Sequence, residues 1–480
     1  MNIRLVLDLL GKALMVEGAL MLPSLGVSLY YGQGDWRALV YAAALVAAVG
    51  GILQLCARPR NDNQRAREGF ATVALIWVFM SFFGGMPFHI GGYMSITDSF
   101  FECASGFTTT GATILANVEV LPRGLMFWRS FTHWVGGMGV LVLSLALVPH
   151  MGGRALHLLK AESTGPAPGK LVPRIEKSAK LLYLLYVALS IVQVIALLLC
   201  GMDLYDALIH MFGTAGTGGF SNYAQSVGHF DSVAIDLVIS TFMLLFGVNF
   251  SVYFLLFTGH WRAGLRNEEL RVYLGVVALA VLLIAVNIAP NVASFAEALR
   301  ESYFQVSSII TTTGFATQNF DLWPQFSRTI LVVLMLLGAC AGSTGGGIKV
   351  IRATLLFKSI GREVSRVIRP RSVTVVRSES RVVDESTLTQ VQVFFFVYLL
   401  VTAVATLIVS LDGFSFETNL TASLSAISNI GPGLGMVGPT GSFAPFSTLS
   451  KWVLSTCMLM GRLEIYPVLM LFAPSIWKRN

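Results

Sequence analysis

Uncharged apolar runs of membrane-spanning length recur along this chain, at 38–57, 69–97, 130–153, 181–202, 237–261, 272–296, 329–348 and 386–411. A helix of about 20 apolar residues crosses a hydrocarbon core ~30 Å thick. Two weaker segments join them: 5–30, which carries Asp8, Lys12 and Glu17, and 445–474, which is broken by Arg462 and Glu464. That makes ten candidate spans. The runs are continuous rather than alternating, which excludes a transmembrane β-barrel. Composition excludes the other classes. Charged residues are 12% of the chain and hydrophobic ones 55%, about half the charge of a soluble domain at ~25% and far too apolar for disorder. The chain reads as an all-α polytopic membrane protein. The charges in 5–30 interrupt any signal-peptide core, so that stretch is expected to remain as the first helix. Five cysteines (Cys56, Cys103, Cys200, Cys340, Cys457) are odd in number, widely spaced and set in or beside apolar runs. They read as small buried hydrophobes.

The net charge of +7 would point to nucleic acid in a soluble protein. Here the basic residues mark loops instead, and no nucleic acid is expected. With ten spans and the N-terminus inside, the cytoplasmic loops hold Arg58, Arg60, Arg65 and Arg67, then Arg154, Lys160, Lys170, Arg174, Lys177 and Lys180. The later ones hold Arg262, Arg266 and Arg271, then Lys358, Arg362, Arg366, Arg369, Arg371, Arg377 and Arg381. With Arg4, Lys478 and Arg479 these are 23 of the 33 Lys and Arg. Both termini are therefore expected in the cytoplasm. The basic run 358–381 reads as a solvated loop, with contact to anionic lipid as a second possibility.

Four further segments, 98–112, 207–230, 302–320 and 418–435, are uncharged or nearly so but rich in Gly, Ser, Thr and Asn. Non-helical backbone at membrane depth must be buried in protein or line water. Aligned on one glycine each, the segments form a repeat. They read Phe107-Thr108-Thr109-Thr110-Gly111, Thr214-Ala215-Gly216-Thr217-Gly218, Ile310-Thr311-Thr312-Thr313-Gly314 and Ser428-Asn429-Ile430-Gly431. An acidic residue precedes each glycine by 12–14 positions: Asp98, Asp206, Glu301 and Glu417. The unit is a span, a short half-span helix, a glycine turn and a second span, occurring four times. The acid is placed in the first turn of the short helix, where it complements the positive helix end. The opposite end then favours a cation at the turn. Successive carbonyls can replace an ion's water shell. Turning them inward needs dihedrals that glycine adopts most readily. Threonine hydroxyls can hold such a loop without adding charge. The expected fold is four pseudo-symmetric repeats (span, pore helix, filter loop, span) around a central pore. Two N-terminal helices (1–68) precede them, and the divisions fall at 69–153, 154–261, 262–358 and 359–480.

At these residues the chain resembles the superfamily of bacterial Trk and Ktr potassium uptake subunits and plant HKT transporters, over essentially its whole length. The two extra N-terminal spans look like the TrkH-type branch. The resemblance implies potassium uptake at the bacterial inner membrane. It implies K+ bound by backbone carbonyls of a filter made of Thr109, Thr110, Gly111, Gly216, Thr217, Gly218, Thr312, Thr313, Gly314, Asn429, Ile430 and Gly431. Glycine at all four filter positions is similar to the potassium-selective members. The fourth filter departs from the family's pattern, with Asn429 and Ile430 before its glycine. The stretch Gly338 to Gly347 is similar to the family's intramembrane gating loop, and Arg462 to its pore-facing arginine. The implied gate is Gly342, Ser343, Thr344, Gly345, Gly346 and Gly347 with Lys349 and Arg462. The family also implies a homodimer and a cytosolic nucleotide-binding regulatory subunit. ATP/ADP or NAD(H) would act only through that partner, since the cytoplasmic segment 358–390 is too short for a nucleotide domain. No cofactor is expected in the chain itself.

Other readings are weaker. The stretch 342–349 lacks the GK[ST] ending of a phosphate loop, and six small residues in a row cannot hold a helix interior. An intramembrane enzyme would need a nucleophile pair or a metal motif, and the seven histidines are scattered; those near span ends, with Trp128, His133 and Trp134, read as interfacial anchors. No span carries an arginine every third residue, as a voltage sensor would. The alternative that stays open is an ion-coupled symporter of broader cation specificity.

Overall fold

The computed structural model describes residues 3–57, 66–139, 175–371, 374–379 and 381–474, and it is helical apart from one hairpin, Arg377–Ser378 against Arg381–Val382. Helices Ile3–Leu20 and Trp36–Ala57 pair with each other, and the first also packs on Ala66–Gly84. Among the described residues, five helical segments are long and apolar enough to cross a membrane. They are Trp36–Ala57 and the first helix of every repeat: Gly69–Ile90, Leu181–Leu199, Glu268–Asn291 and Glu385–Asp412. The last three of these are only 22%, 39% and 28% buried, whereas Gly69–Ile90, covered by the N-terminal pair, is 61% buried. Exposed Leu, Ile and Val on these helices face lipid rather than water.

A short helix follows each first helix. The four pore helices are Ile96–Phe107, Leu204–Gly216, Phe295–Ile310 and Phe416–Ser428. Ser95, Asp203, Ser294 and Ser415 cap them, each side chain accepting from a backbone N–H three residues on, as N-caps do. Asp98, Asp206 and Glu417 sit in the first turn as expected. Glu301 does not. The third pore helix starts about a turn earlier, at the Ser294 cap, with Glu297 in its first turn.

The second helix of each repeat breaks. Arg123–Met138 stops at Gly139, and most of the 130–153 run lies outside the described residues. Val233–Gly247 turns by 92° into Phe250–Phe257. Gln325–Leu337 ends at Gly338, and the chain stays irregular up to Val350–Ile368. Thr448–Arg462 gives way to Tyr466–Leu471.

Two expectations are corrected. Trp128 and His133 are fully buried, not interfacial. Trp128 Nε1 donates to Gly84 O at 2.8 Å, His133 Nδ1 lies 2.8 Å from Gly106 O, and Trp134 donates to Ser190 Oγ at 3.2 Å. The second helix of repeat 1 runs inside the bundle, so its aromatic rings pack on pore helices. The basic run 358–381 is not simply a solvated loop either. Its first half is helix, with Arg362 paired to Glu385 at 2.5 Å and Lys358 bound to Glu268. Of the cysteines, Cys103, Cys340 and Cys457 are buried, while Cys56 is exposed and Cys200 half-buried.

Candidate ion-conduction site

The pore helices end in four loops of one backbone design. Thr110, Gly218, Thr313 and Ile430 each donate their N–H to a carbonyl five residues back, at 2.8, 2.8, 2.8 and 3.0 Å. The residue before each is left-handed: Thr109, Thr217, Thr312 and Asn429 have φ between 55° and 59°. The residue after each is a left-handed glycine: Gly111, Gly219, Gly314 and Gly431, with φ of 81°, 76°, 86° and 98°. The alignment on Gly218 is therefore one residue out of register. Gly219 is the equivalent of the other three glycines, and Gly218 corresponds to Thr110, Thr313 and Ile430. Gly216 lies two positions before Gly218, corresponding to Thr108, Thr311 and Ser428, and closes the second pore helix.

The glycines close a ring. A Cβ on Gly111 would collide with Gly218 O, on Gly219 with Thr313 O, on Gly314 with Ile430 O, and on Gly431 with Thr110 O. Each repeat thus rests its glycine against the preceding carbonyl of the next, in chain order, and the fourth returns to the first. All four glycines line one cavity, which also takes in Thr113, Arg129, Ser221 and Thr440. Side chains brace the ring from behind. Thr108 and Thr110 hydroxyls lie 2.8 Å apart, as do those of Thr311 and Thr313. The unusual Asn429 fits its position, because Asn tolerates the left-handed region better than a β-branched residue. Its Nδ2 donates to Thr110 Oγ1 and to Met458 O, each at 2.9 Å, joining repeat 4 to repeat 1.

One buried ion pair went unread in the sequence. Glu102 on the first pore helix and Arg129 on the second helix of repeat 1 meet at 2.7 Å, with side chains 0% and 2% exposed. Glu102 also accepts from Thr113 Oγ1 and Ile114 N, both at 2.8 Å. Arg129 donates to Ser221 O at 3.2 Å and lies over the Phe220 ring. The pair ties the loops after Gly111 and Gly219 together. Two charges at membrane depth are the signal that could have revealed it.

Beneath the ring lies the irregular stretch 338–349. Gly346 N donates to Thr312 Oγ1 at 2.7 Å, and Ser343 Oγ donates to Cys340 O at 2.6 Å. A Cβ on Gly346 would collide with Ser428 O, and one on Gly345 would lie 3.0 Å from Thr311 O. Small residues let the stretch press directly on the filter loops. Gly342 O accepts from Phe250 N at 3.1 Å, just past the bend in repeat 2. Gly347 is left-handed, and so is Lys349. Buried Lys349 turns its ammonium to Gly345 O. Arg462, at the end of its helix, donates to Thr344 O at 2.8 Å, to Gly137 O at 2.9 Å and to Gly136 O. It therefore links repeats 4, 3 and 1 in one place. Glu464 does not pair locally with it, and instead binds Arg352 at 2.5 Å. Among the described residues no cluster of His, Cys, Asp and Glu could hold a metal ion. The groups that could take a cation at the ring are backbone oxygens.

Four helix–loop–helix units, with pore-helix C-termini aimed at a glycine ring and an irregular stretch below it, define a single-chain membrane protein for cation passage. Residues 37–479 match the TrkH family, described as cation transport protein. The chain is 38% identical to the Trk system potassium uptake protein TrkH of Salmonella typhimurium and 37% identical to that of Escherichia coli K12, over the whole of both chains in each case. The crystal structure of the potassium transporter TrkH from Vibrio parahaemolyticus superposes with a TM-score of 0.90 at 34% identity, covering all of both chains. The chain belongs to the TrkH family.

Proposed function

We propose that this protein carries potassium into the cell across the cytoplasmic membrane, with both termini inside. Ions pass the carbonyls around Gly111, Gly219, Gly314 and Gly431, with Thr109, Thr110, Thr217, Gly218, Thr312, Thr313, Asn429 and Ile430 shaping the loops. The observation that carries the reading is the closed ring, in which each glycine abuts the next repeat's carbonyl. The repeat divisions at 69–153, 154–261, 262–358 and 359–480 give one ring position each. Gly342 to Gly347, Lys349 and Arg462 act as the gate, because they fill the space directly under the filter loops. The protein works as a homodimer. Support comes from the helix Val350–Ile368, which turns Arg352 and Arg362 inward and leaves Phe357, Ile360, Val364, Val367 and Ile368 at least 53% exposed. Nucleotide control, by ATP/ADP or NAD(H), comes through a separate cytosolic subunit, and no reaction is catalysed.

The test is flux of potassium, rubidium and sodium into proteoliposomes. Gly314→Ser places a Cβ against Ile430 O, so potassium preference should fall about tenfold or more, equivalent to ~1.4 kcal/mol, while the protein still inserts. Unchanged preference in folded protein removes Gly314 from the filter. Imposed proton and sodium gradients separate channel-like passage from symport: only a symporter follows them.

A further inference from the structure

The irregular stretch beneath the ring is held at both ends by one carboxylate. Ala341 N and Ile351 N both donate to Glu269 Oε1, at 2.7 and 3.2 Å. Glu269 lies in the first turn of helix Glu268–Ile288, at the start of repeat 3, and is 5% exposed. Asn249, at the bend of repeat 2, adds a side-chain hydrogen bond to it. Two backbone bonds seat the same stretch on that bend: Cys340 N donates to Gly247 O and Phe250 N to Gly342 O, each at 3.1 Å.

The carboxylate supplies what the stretch lacks. Helix Val350–Ile368 starts with N–H groups that have no partner within the helix. Lys349, in the cap position, makes no side-chain bond to them and has only donors to offer. A carboxylate at a helix start complements its positive end, and Glu269 does this from another helix. At Ala341 the same oxygen holds the residue just before Gly342, where φ is 69° and the chain has left the helical ladder. Hydrogen bonds to a charged acceptor are roughly twice as strong as neutral ones, so a single side chain fixes both ends. The neighbouring Glu268 is engaged elsewhere. It binds Lys358 and accepts from Glu379 N at 3.2 Å and from Ser378 Oγ at 3.4 Å, at the hairpin.

We infer that Glu269 is a positioning residue, which fastens both ends of the stretch 338–349 and so keeps it pressed under the filter loops. Its effect on flux rests on the reading of that stretch as the gate. Cys340, beside Ala341 and 1% exposed, reports on the fastening by itself. The test uses the purified full chain in proteoliposomes, with exposed Cys56 and half-buried Cys200 changed to serine. It follows potassium influx and the labelling of Cys340 by a polar methanethiosulfonate reagent. Glu269→Ala should expose Cys340, while Cys103 and Cys457, buried elsewhere, stay protected as they would not in an unfolded chain. Potassium influx should rise about tenfold, the scale of losing one bond to a charged acceptor, with ion preference unchanged. Glu269→Gln keeps an oxygen at the same reach and should stay within about threefold of wild type. Glu268→Gln should match wild type in both readouts. If Glu269→Ala does not fold, Glu269→Asp decides: its shorter side chain draws the carboxylate back from Ala341 N and Ile351 N, and Cys340 should again be labelled. Exposed Cys340 at a wild-type rate supports the fastening and overturns the gate reading instead. The inference itself is overturned if Cys340 stays protected in Glu269→Ala and Glu269→Asp. It is overturned as well if Glu268→Gln matches Glu269→Ala, since the helix end and not the carboxylate would then matter.

Discussion

The first and second helices of the repeats flank each pore helix and have opposite structures. Each first helix is an unbroken span, while each second helix fails just below the filter, at Gly139, Val248, Gly338 or Leu463. First helices meet lipid on one side, and an uninterrupted hydrogen-bond ladder is the only backbone lipid tolerates. Each second helix packs on two pore helices, its own and that of the next repeat, so the carbonyls freed at its break find partners in protein. Arg462 caps Gly136 O, Gly137 O and Thr344 O, and Cys340 N reaches Gly247 O at 3.1 Å. Breaks occur where the protein can satisfy them, and they place carbonyls and charges beneath the glycine ring.

The largest effect should come from cutting the second helix of repeat 1 away from its pore helix. Glu102→Gln leaves Arg129 buried without a countercharge, which costs ~3–5 kcal/mol. The melting temperature in detergent should collapse, and potassium flux should be lost with it. Tyr398→Phe, on a first helix, removes only a hydroxyl contact to Ser428 of 2.5 Å and should cost ~1 kcal/mol. Equal losses in the two variants would erase the distinction between the helix classes.

A pair of glycines tests the same contrast at smaller scale. Gly275 lies on a first helix, and a Cβ added there would meet nothing within 4 Å, whereas a Cβ on Gly461 would collide with Ile427 O at the end of the fourth pore helix. Gly275→Ala should be neutral or stabilising by up to ~1 kcal/mol, the helix propensity of alanine. Gly461→Ala should destabilise by ~1–3 kcal/mol and lower potassium preference by moving the Asn429 loop. Thermal melts and ion-preference assays on both read the difference.

The same contrast explains what was legible beforehand. First helices show in the sequence because lipid demands long uncharged runs, and pore helices because an acid precedes each glycine turn by 12–14 positions. The register of repeat 2 was not legible from its glycines, since Gly216, Gly218 and Gly219 crowd together. The acids would have fixed it: Asp98, Asp206 and Glu301 each lie 13 residues before Gly111, Gly219 and Gly314. Glu102 and Arg129 were missed because 27 residues separate them and only folding brings them together. Arg462 donates to carbonyls on distant repeats, which no local pattern encodes.

The register itself gives the next test. His133 fills the space where Thr110 and Thr313 carry side chains in repeats 1 and 3, because a Cβ on Gly218 would collide with its ring. Gly219→Ser should lower potassium preference about tenfold, a difference of ~1.4 kcal/mol, just as Gly314→Ser does. Gly218→Thr should instead depress stability, and His133→Ala in the same chain should restore part of it by making room. If Gly218→Thr alone changes preference while Gly219→Ser does not, the alignment on Gly218 is the right one after all.

The smallest effect should come from Arg462, where the four broken helices come closest to acting as one device. Its guanidinium donates to Thr344 of the stretch under the filter and to the last turn of repeat 1's second helix. Hydrogen bonds from a charged donor are worth ~1.5–3 kcal/mol each. Opening the path must exchange them for bonds to water, so only a fraction of that worth appears in the gating equilibrium. Arg462→Gln keeps one amide donor and removes the charge that repels cations. Potassium influx should rise about threefold to tenfold, ~0.7–1.4 kcal/mol in barrier terms, with ion preference unchanged, because the ring above is untouched. Arg462→Lys keeps the charge but loses the planar fork that reaches two repeats at once. Its influx should lie between wild type and Arg462→Gln. A wild-type rate in Arg462→Gln, with normal melting, would show that the arginine only fastens broken helix ends. The second helices would then differ from the first in architecture alone, without any share in controlling ion flow.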